Sequence, residues 1–166
     1  MTADRPTTGT PSPKPEPPLT LYLVKRLELV VRALLDDALR PLGLTTLQYT
    51  ALSVLQRRGG LSSAQLARRS FLRPQTMHEM VLTLEQRGLI SRERDPRNRR
   101  VLLANLTDEG KALLARCEPL VLELEERLLS QLDPGERHLF RDSLERGISA
   151  LGALAHGTKS RGEATG

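Results

Sequence analysis

Three features of this 166-residue chain predict a mainly α fold of six helices interrupted by one small β-hairpin. Apolar residues recur at three- and four-residue spacing in long stretches towards both ends. The segment Leu61–Thr107 reads helix, tight turn, helix, then an arginine-rich hairpin. Helix-starting residues stand at the boundaries: Ser62 with Gln65, Thr107 before Asp108 and Glu109, and Asp133 with Glu136 around Pro134. The length suits one domain with a real core, or two small ones packed closely.

Residues 1–18 hold Pro6, Pro11, Pro13, Pro15, Pro17 and Pro18 among Thr, Ser and charges, which predicts a disordered arm. The first helix is expected from about Leu19 to Leu39. Leu23, Leu27, Val30, Val31, Leu34 and Ala38 form its apolar face, and Pro41 and Gly43 stop it. A second helix starts at Thr45 or Thr46 and runs to Arg57, with Leu47, Ala51, Leu52 and Leu55 inward and Gly59–Gly60 as its end. The third opens on Ser62, turns its Leu66 and Ala67 to the core, and stops at the short turn Ser70–Arg73.

Pro74 fits the first position of a fourth helix, where its missing N–H costs nothing. Met77, Met80, Val81 and Leu84 share one face of that helix. Gln75, Thr76, His78, Glu79, Leu82, Thr83 and Gln86 are left outward, and Gly88 closes it. Ile90–Arg94 then alternates as a strand, Asp95–Asn98 has turn chemistry, and Arg99–Leu106 is read as the returning strand. Thr107 starts a long fifth helix with the apolar line Leu113, Cys117, Leu120, Val121, Leu124 and Leu128. The sixth carries Phe140, Leu144, Ile148 and Leu151 and is expected to fray into a flexible tail over residues 156–166.

Two helices followed by a charged ribbon form a winged helix-turn-helix, a geometry that fits duplex DNA: the second helix enters the major groove and the ribbon lies along the backbone or the minor groove. Charge agrees. From Arg68 to Arg100 there are nine arginines against Glu79, Glu85, Glu93 and Asp95, a surplus of +5 that equals the net charge of the whole chain. Arg68 and Arg69 are placed to reach phosphate. Only Tyr22, Tyr49, Phe71 and Phe140 are aromatic, too few for the stacking platforms of single-strand binding.

Cys117 is the sole cysteine, so no internal disulfide and no cysteine-based zinc site can form, and His78, His138 and His156 lack metal-ligand spacing. No cofactor and no metal are expected. No apolar run approaches the roughly 18 residues of a membrane span, and no signal-peptide core is present, so a cytoplasmic protein is expected. No Ser/His/Asp set, phosphate-cradling glycine loop or paired acids suggest an enzyme.

The runs LSSAQLARRS, LEQRGLISRERDPRNRR and LLANLTDEG resemble the multiple-antibiotic-resistance regulator (MarR) family of winged helix-turn-helix transcription factors, over roughly Leu19 to Leu154. Asp95-x-Arg97-Asn98-x-Arg100, followed by Leu106–Thr107 and Gly110, is similar to the family's wing signature. The resemblance implies a triangular homodimer, with residues 19–44 and 108–155 as the helical dimerisation region and residues 45–107 as the DNA-binding lobe. It also implies a palindromic double-stranded operator and release by a small-molecule effector, often an aromatic acid or lipophilic drug, bound between dimer apex and lobe. The terminal helices carry more apolar surface than one lobe buries alone, which fits.

On the matching positions, Gln75, Thr76, His78 and Glu79 would read bases and Arg97 would enter the minor groove. Asp95 would hold the wing by pairing with a nearby arginine, and Arg94, Arg99 and Arg100 complete the basic wing. Arg73 departs from the family's small polar residue and is assigned to phosphate. Glu79 either accepts from a cytosine amino group or orients a neighbouring arginine, the second being preferred. Tyr22 and Tyr49 are conceivable effector-lining residues, with packing the better reading of each. Two alternatives stay open: an oxidation sensor using Cys117, set against a buried packing role for that thiol, and a protein-interaction module that keeps the fold without DNA affinity.

Overall fold

The computed structural model describes residues 18–161, which form α1 (Thr20–Leu39), a 3-10 turn (Arg40–Leu42), α2 (Thr46–Arg57), β1 (Leu61–Ser62), α3 (Ser63–Arg69), α4 (Pro74–Gln86), β2 (Ile90–Arg94), β3 (Leu102–Leu106), α5 (Asp108–Leu129) and α6 (Pro134–Arg161). The predicted arm lies outside the described residues except for Pro18.

Local chemistry explains the helix boundaries. The turn after α1 ends on Gly43 at φ 70°, a left-handed geometry that glycine adopts without strain. Thr45 and Gln48 then exchange side-chain-to-backbone bonds of 3.2 Å each, so Thr45 rather than Thr46 caps α2. Ser62 and Gln65 do the same for α3, and Asp133 and Glu136 for α6. The Asp36 carboxylate on α1 accepts from both the backbone N–H and the hydroxyl of Thr46, at 2.8 and 2.7 Å, and ties α1 to the first turn of α2. Those bonds hold Asp36 below the ordinary aspartate pKa.

The core lies in the lobe and in the first half of α5. Leu52 and Leu55 of α2, Leu66 and Ala67 of α3, Met77, Val81 and Leu84 of α4, Ile90, Ala104, and Leu114 and Cys117 of α5 form one buried cluster. No described residue of α6 belongs to it. Tyr49 packs against its edge, whereas Tyr22 is exposed beneath the Arg26 guanidinium. Leu23, Val30 and Leu34 on α1 and Ile148 and Leu151 on α6 remain about half exposed in the single chain, from 47% to 56%.

Five expectations are corrected. The sheet has three strands, ordered β1-β3-β2 and antiparallel throughout; β1 pairs Leu61 with Ala104 and is too short for any periodicity to reveal. β3 starts at Leu102 rather than Arg99, because Asp95 and Val101 close the ladder by a 2.9 Å bond and leave Arg99 and Arg100 in the turn. The fully buried line of α5 is Gly110, Leu114, Cys117 and Leu129; Leu113, Leu120, Val121 and Leu124 are half-buried and Leu128 is exposed. Leu82 is half-buried rather than outward, and α6 continues past His156 to Arg161, since Gly157 alone costs a helix only about 1 kcal/mol.

α5 meets the lobe at one tight joint. The Thr107 hydroxyl donates 2.6 Å to the Gly88 carbonyl and accepts from the Gly110 N–H at 3.1 Å, while the Thr107 N–H reaches the Leu89 carbonyl. A Cβ at Gly110 would sit 2.1 Å from the Leu89 carbonyl oxygen, so no side chain fits. Gly110→Ala is therefore expected to lower stability by roughly 2–3 kcal/mol, as overpacking against fixed backbone does. Gly147→Ala, on α6 with open space around it, is expected to be neutral or mildly stabilising. Thermal denaturation of the two variants side by side checks this, and equal melting temperatures would contradict the joint.

Candidate nucleic-acid interface

α4 is laid on the lobe by Met77, Val81 and Leu84, all fully buried, which forces the opposite side of its first turns into solvent. Gln75, Thr76, His78 and Glu79 are all exposed there. The Gln75 side-chain amide donates 2.8 Å to Glu79 one turn later. Glu79 thus orients a glutamine, and among the described residues it forms no ion pair to an arginine, contrary to the preferred expectation. The bond leaves Gln75 its carbonyl oxygen and one N–H facing out, the donor and acceptor that together match an adenine edge.

Arg73 stands before Pro74 at the start of α4 and makes no side-chain cap bond, as its chemistry demands. Arg68 and Arg69 occupy the last turn of α3, where cations suit the negative end of the helix dipole. Both are exposed.

The wing is shaped by two successive side-chain-to-backbone turns. Asp95 accepts from the Arg97 N–H at 2.9 Å, and Asn98 accepts from the Arg100 N–H at 3.2 Å. Asp95 forms no ion pair among the described residues, so the expected arginine pairing is replaced by a bond to backbone. A carboxylate two residues before an N–H needs no distant partner to fold the loop. Arg94, Arg97, Arg99 and Arg100 are exposed around it.

The β1–β3 pairing swings the wing beside the start of α3. Between them lies an open groove of about 630 Å³, lined among others by Ser62, Gln65, Arg68, Asp95, Arg97 and Asn98. Gln65 and Asn98 are among the polar groove residues, with Ser62, that sequence reasoning left out of the site. Their helix-cap and turn roles were legible, but their proximity required knowing that Leu61 pairs with Ala104.

Two of the nine arginines face the protein instead. Arg87 donates to Gln48 at 3.4 Å, and Arg92 donates through Nε at 2.9 Å to Glu85 near the end of α4. Arg92 is half-buried, while Arg87 stays exposed beside Gln48. The seven others are exposed as well, and none of them forms an ion pair among the described residues. Lone cations on one surface suit a polyanion. Cys117 is fully buried, and burial pushes its thiol up while Arg116 opposes weakly, the reverse of what a reactive thiolate needs.

A helix-turn-helix with an arginine-rich wing, exposing polar residues at the start of its second helix, defines a winged DNA-binding fold. The comparisons make this specific. A model of the MarR family matches residues 42–101. The HTH-type transcriptional repressor Rv2887 of Mycobacterium tuberculosis is 37% identical over 125 residues, which cover 75% of this chain and 90% of the relative. Its crystal structures with DNA and with salicylic acid both superpose at a TM-score of 0.65 and 35% identity, covering 78% and 79% of this chain and 98% and 97% of theirs. The chain belongs to the MarR family.

The Glu85–Arg92 pair fastens α4 to β2 and holds Glu85 below the ordinary glutamate pKa, chiefly through the Arg92 hydrogen bond and against some burial. A lowered folded-state pKa adds stability above the unfolded value, and that stability is lost as pH falls through the folded value. Glu85→Gln is expected to cost roughly 0.5–1 kcal/mol at neutral pH, screened because the pair is only part-buried. That difference should shrink to nothing in acid, below the ordinary glutamate value of about 4.3. Melting curves from pH 7 down to pH 3 check the sign; a difference that grows in acid would reverse it.

Proposed function

We propose that the chain is a dimeric repressor that binds a palindromic double-stranded operator and is released by a small ligand. The observation that carries this is the Gln75–Glu79 pair, held outward at the start of α4 and flanked by arginines that no acid neutralises. A readout group fixed in orientation beside free cations separates specificity from affinity, as sequence-specific DNA binding requires. In this reading Gln75, Thr76, His78 and Glu79 face base edges, Arg97 enters the minor groove, and Arg68, Arg69, Arg73, Arg94, Arg99 and Arg100 face phosphate. The DNA and salicylic acid complexes of the Mycobacterium tuberculosis relative support both halves of the proposal.

Dimerisation is supported by the half-exposed apolar residues of α1 and α6, which a second copy would cover. The thiol-switch alternative loses ground to the burial of Cys117 and the upward push on its pKa. Repression fits a protein that occupies its site and leaves when a ligand favours a different dimer geometry.

Selection of bound fragments from a random duplex library tests the reading. A two-fold symmetric consensus is expected, with half-sites about one helical turn or roughly 34 Å apart. Sedimentation equilibrium at micromolar concentration should give twice the 18.5 kDa chain mass. A folded monomer on a single asymmetric box would overturn both. The selected duplex is also the substrate for an effector screen begun from salicylate.

Substitutions separate the two classes of contact. Arg97→Ala is expected to weaken every duplex, most of all those with a narrow A/T-rich minor groove at the half-site edge. Gln75→Ala should relax sequence preference by about 1–3 kcal/mol and leave random-duplex affinity near wild type. Competition binding with selected and random duplexes measures both, and indistinguishable profiles would mean that α4 does not read bases.

A further inference from the structure

We propose that Phe71 is a positioning residue for the recognition helix: its ring, seated on α6, sets the turn from which α4 starts. The inference rests on the DNA-binding reading above and adds a route by which the terminal helix acts on it.

Phe71 is the one non-glycine among the described residues with a positive φ, 54°. A bulky side chain there is strained, and glycine would relieve the strain. The turn itself needs only backbone. The Leu72 N–H returns to the Ala67 carbonyl at 3.0 Å, and the Phe71 N–H to the Arg68 carbonyl at 3.3 Å. Glycine would make both bonds without strain, so the cost is offset by what the ring does.

The ring leaves the lobe and lies on α6. A Cβ at Gly152 would meet Phe71 Cε1 at 3.4 Å and Cζ at 3.5 Å, ordinary contact distances, so the ring rests against bare helix where the side chain is missing. Around it an almost wholly apolar cleft of about 640 Å³ is walled by α1 and α6, with Leu23, Leu27, Phe140, Ile148 and Leu151 among its residues. No described α6 residue enters the lobe's buried cluster, so this ring is a contact that α6 has with the helix-turn-helix without sharing its core. Phe71 lies two residues before Arg73 and three before Pro74, where α4 begins. With the ring held on α6, the strained φ is kept; with the ring released, that φ is free to relax and to shift the start of α4. A strained turn with a relaxed alternative is the kind of element that settles into two arrangements rather than yielding gradually.

The test compares wild type, Phe71→Ala, Phe71→Gly and Phe71→Tyr on the selected operator and on random duplex, with melting temperature and salt dependence recorded for each. Ala removes the ring and keeps the strain, Gly removes both, and Tyr keeps the ring. Phe71→Gly is expected to melt no lower than Phe71→Ala, and both should lose about tenfold in operator affinity, comparable to one lost base contact. Random-duplex affinity and salt slope should stay at wild-type values, since the phosphate-facing arginines are untouched. Phe71→Tyr should restore the preference. A purely structural anchor would lower stability and leave the operator-to-random ratio of the folded protein unchanged, and that result from Phe71→Gly would overturn the proposal. Should the Phe71 variants fail to fold, Gly152→Leu displaces the ring from the α6 side, with the same loss of preference expected and an unchanged ratio equally fatal. A wild type that selects no operator would instead defeat the DNA-binding reading itself.

Discussion

The contact between Gly110 and the Leu89 carbonyl is the constraint on which the rest of this architecture depends. It brings the first turn of α5 against the backbone that joins α4 to β2, closer than any side chain would permit. Thr107 caps α5 and grips Gly88 with the same hydroxyl, so one residue serves the helix start and the wing base together. The end of α4, the root of the wing and the start of α5 converge on a few backbone atoms. α5 is thereby joined to α4 and to the wing through backbone atoms rather than through loosely packed side chains.

Charge is sorted on the same frame. Arg87 and Arg92 are turned to partners within the protein, Gln48 and Glu85, and brace α4 against its neighbours. A carboxylate near the negative end of α4 would be unwelcome alone, and Arg92 compensates for that position. The arginines around the wing and the end of α3 are left uncompensated on the surface. The surplus of +5 over Arg68–Arg100 therefore divides into a structural part and a part that faces outward.

Features with local causes were legible in the residues. The caps Ser62, Thr107 and Asp133 act over three residues, and the burial of Met77, Val81 and Leu84 follows from helical spacing. The Gln75–Glu79 bond follows from helical spacing of four residues as well, although an arginine is the more usual partner for such a carboxylate. Asp95 shows local chemistry prevailing over a family resemblance: its carboxylate closes a turn onto backbone, and among the described residues it forms no ion pair. What could not be read is non-local. The two-residue β1 has no period of its own, and the groove joining Gln65 to Asn98 exists only because that strand pairs far along the chain. Phe71 gives no sign of its left-handed backbone, since glycine and asparagine are the residues that normally announce one.

The central place of β3 has a consequence in time. Leu61 pairs with Ala104, so the strand that leads into the Ser62 cap waits for residues more than forty positions downstream. At roughly 5–20 residues per second of synthesis, that interval is on the order of 2–9 s. Over that interval α3 and then α4 emerge with their arginines before the wing that completes the surface has followed them. The nascent chain thus carries a basic, partly formed face before it has the strand that closes the sheet, and the pairing that completes it carries a larger loop-closure cost than any of its helices.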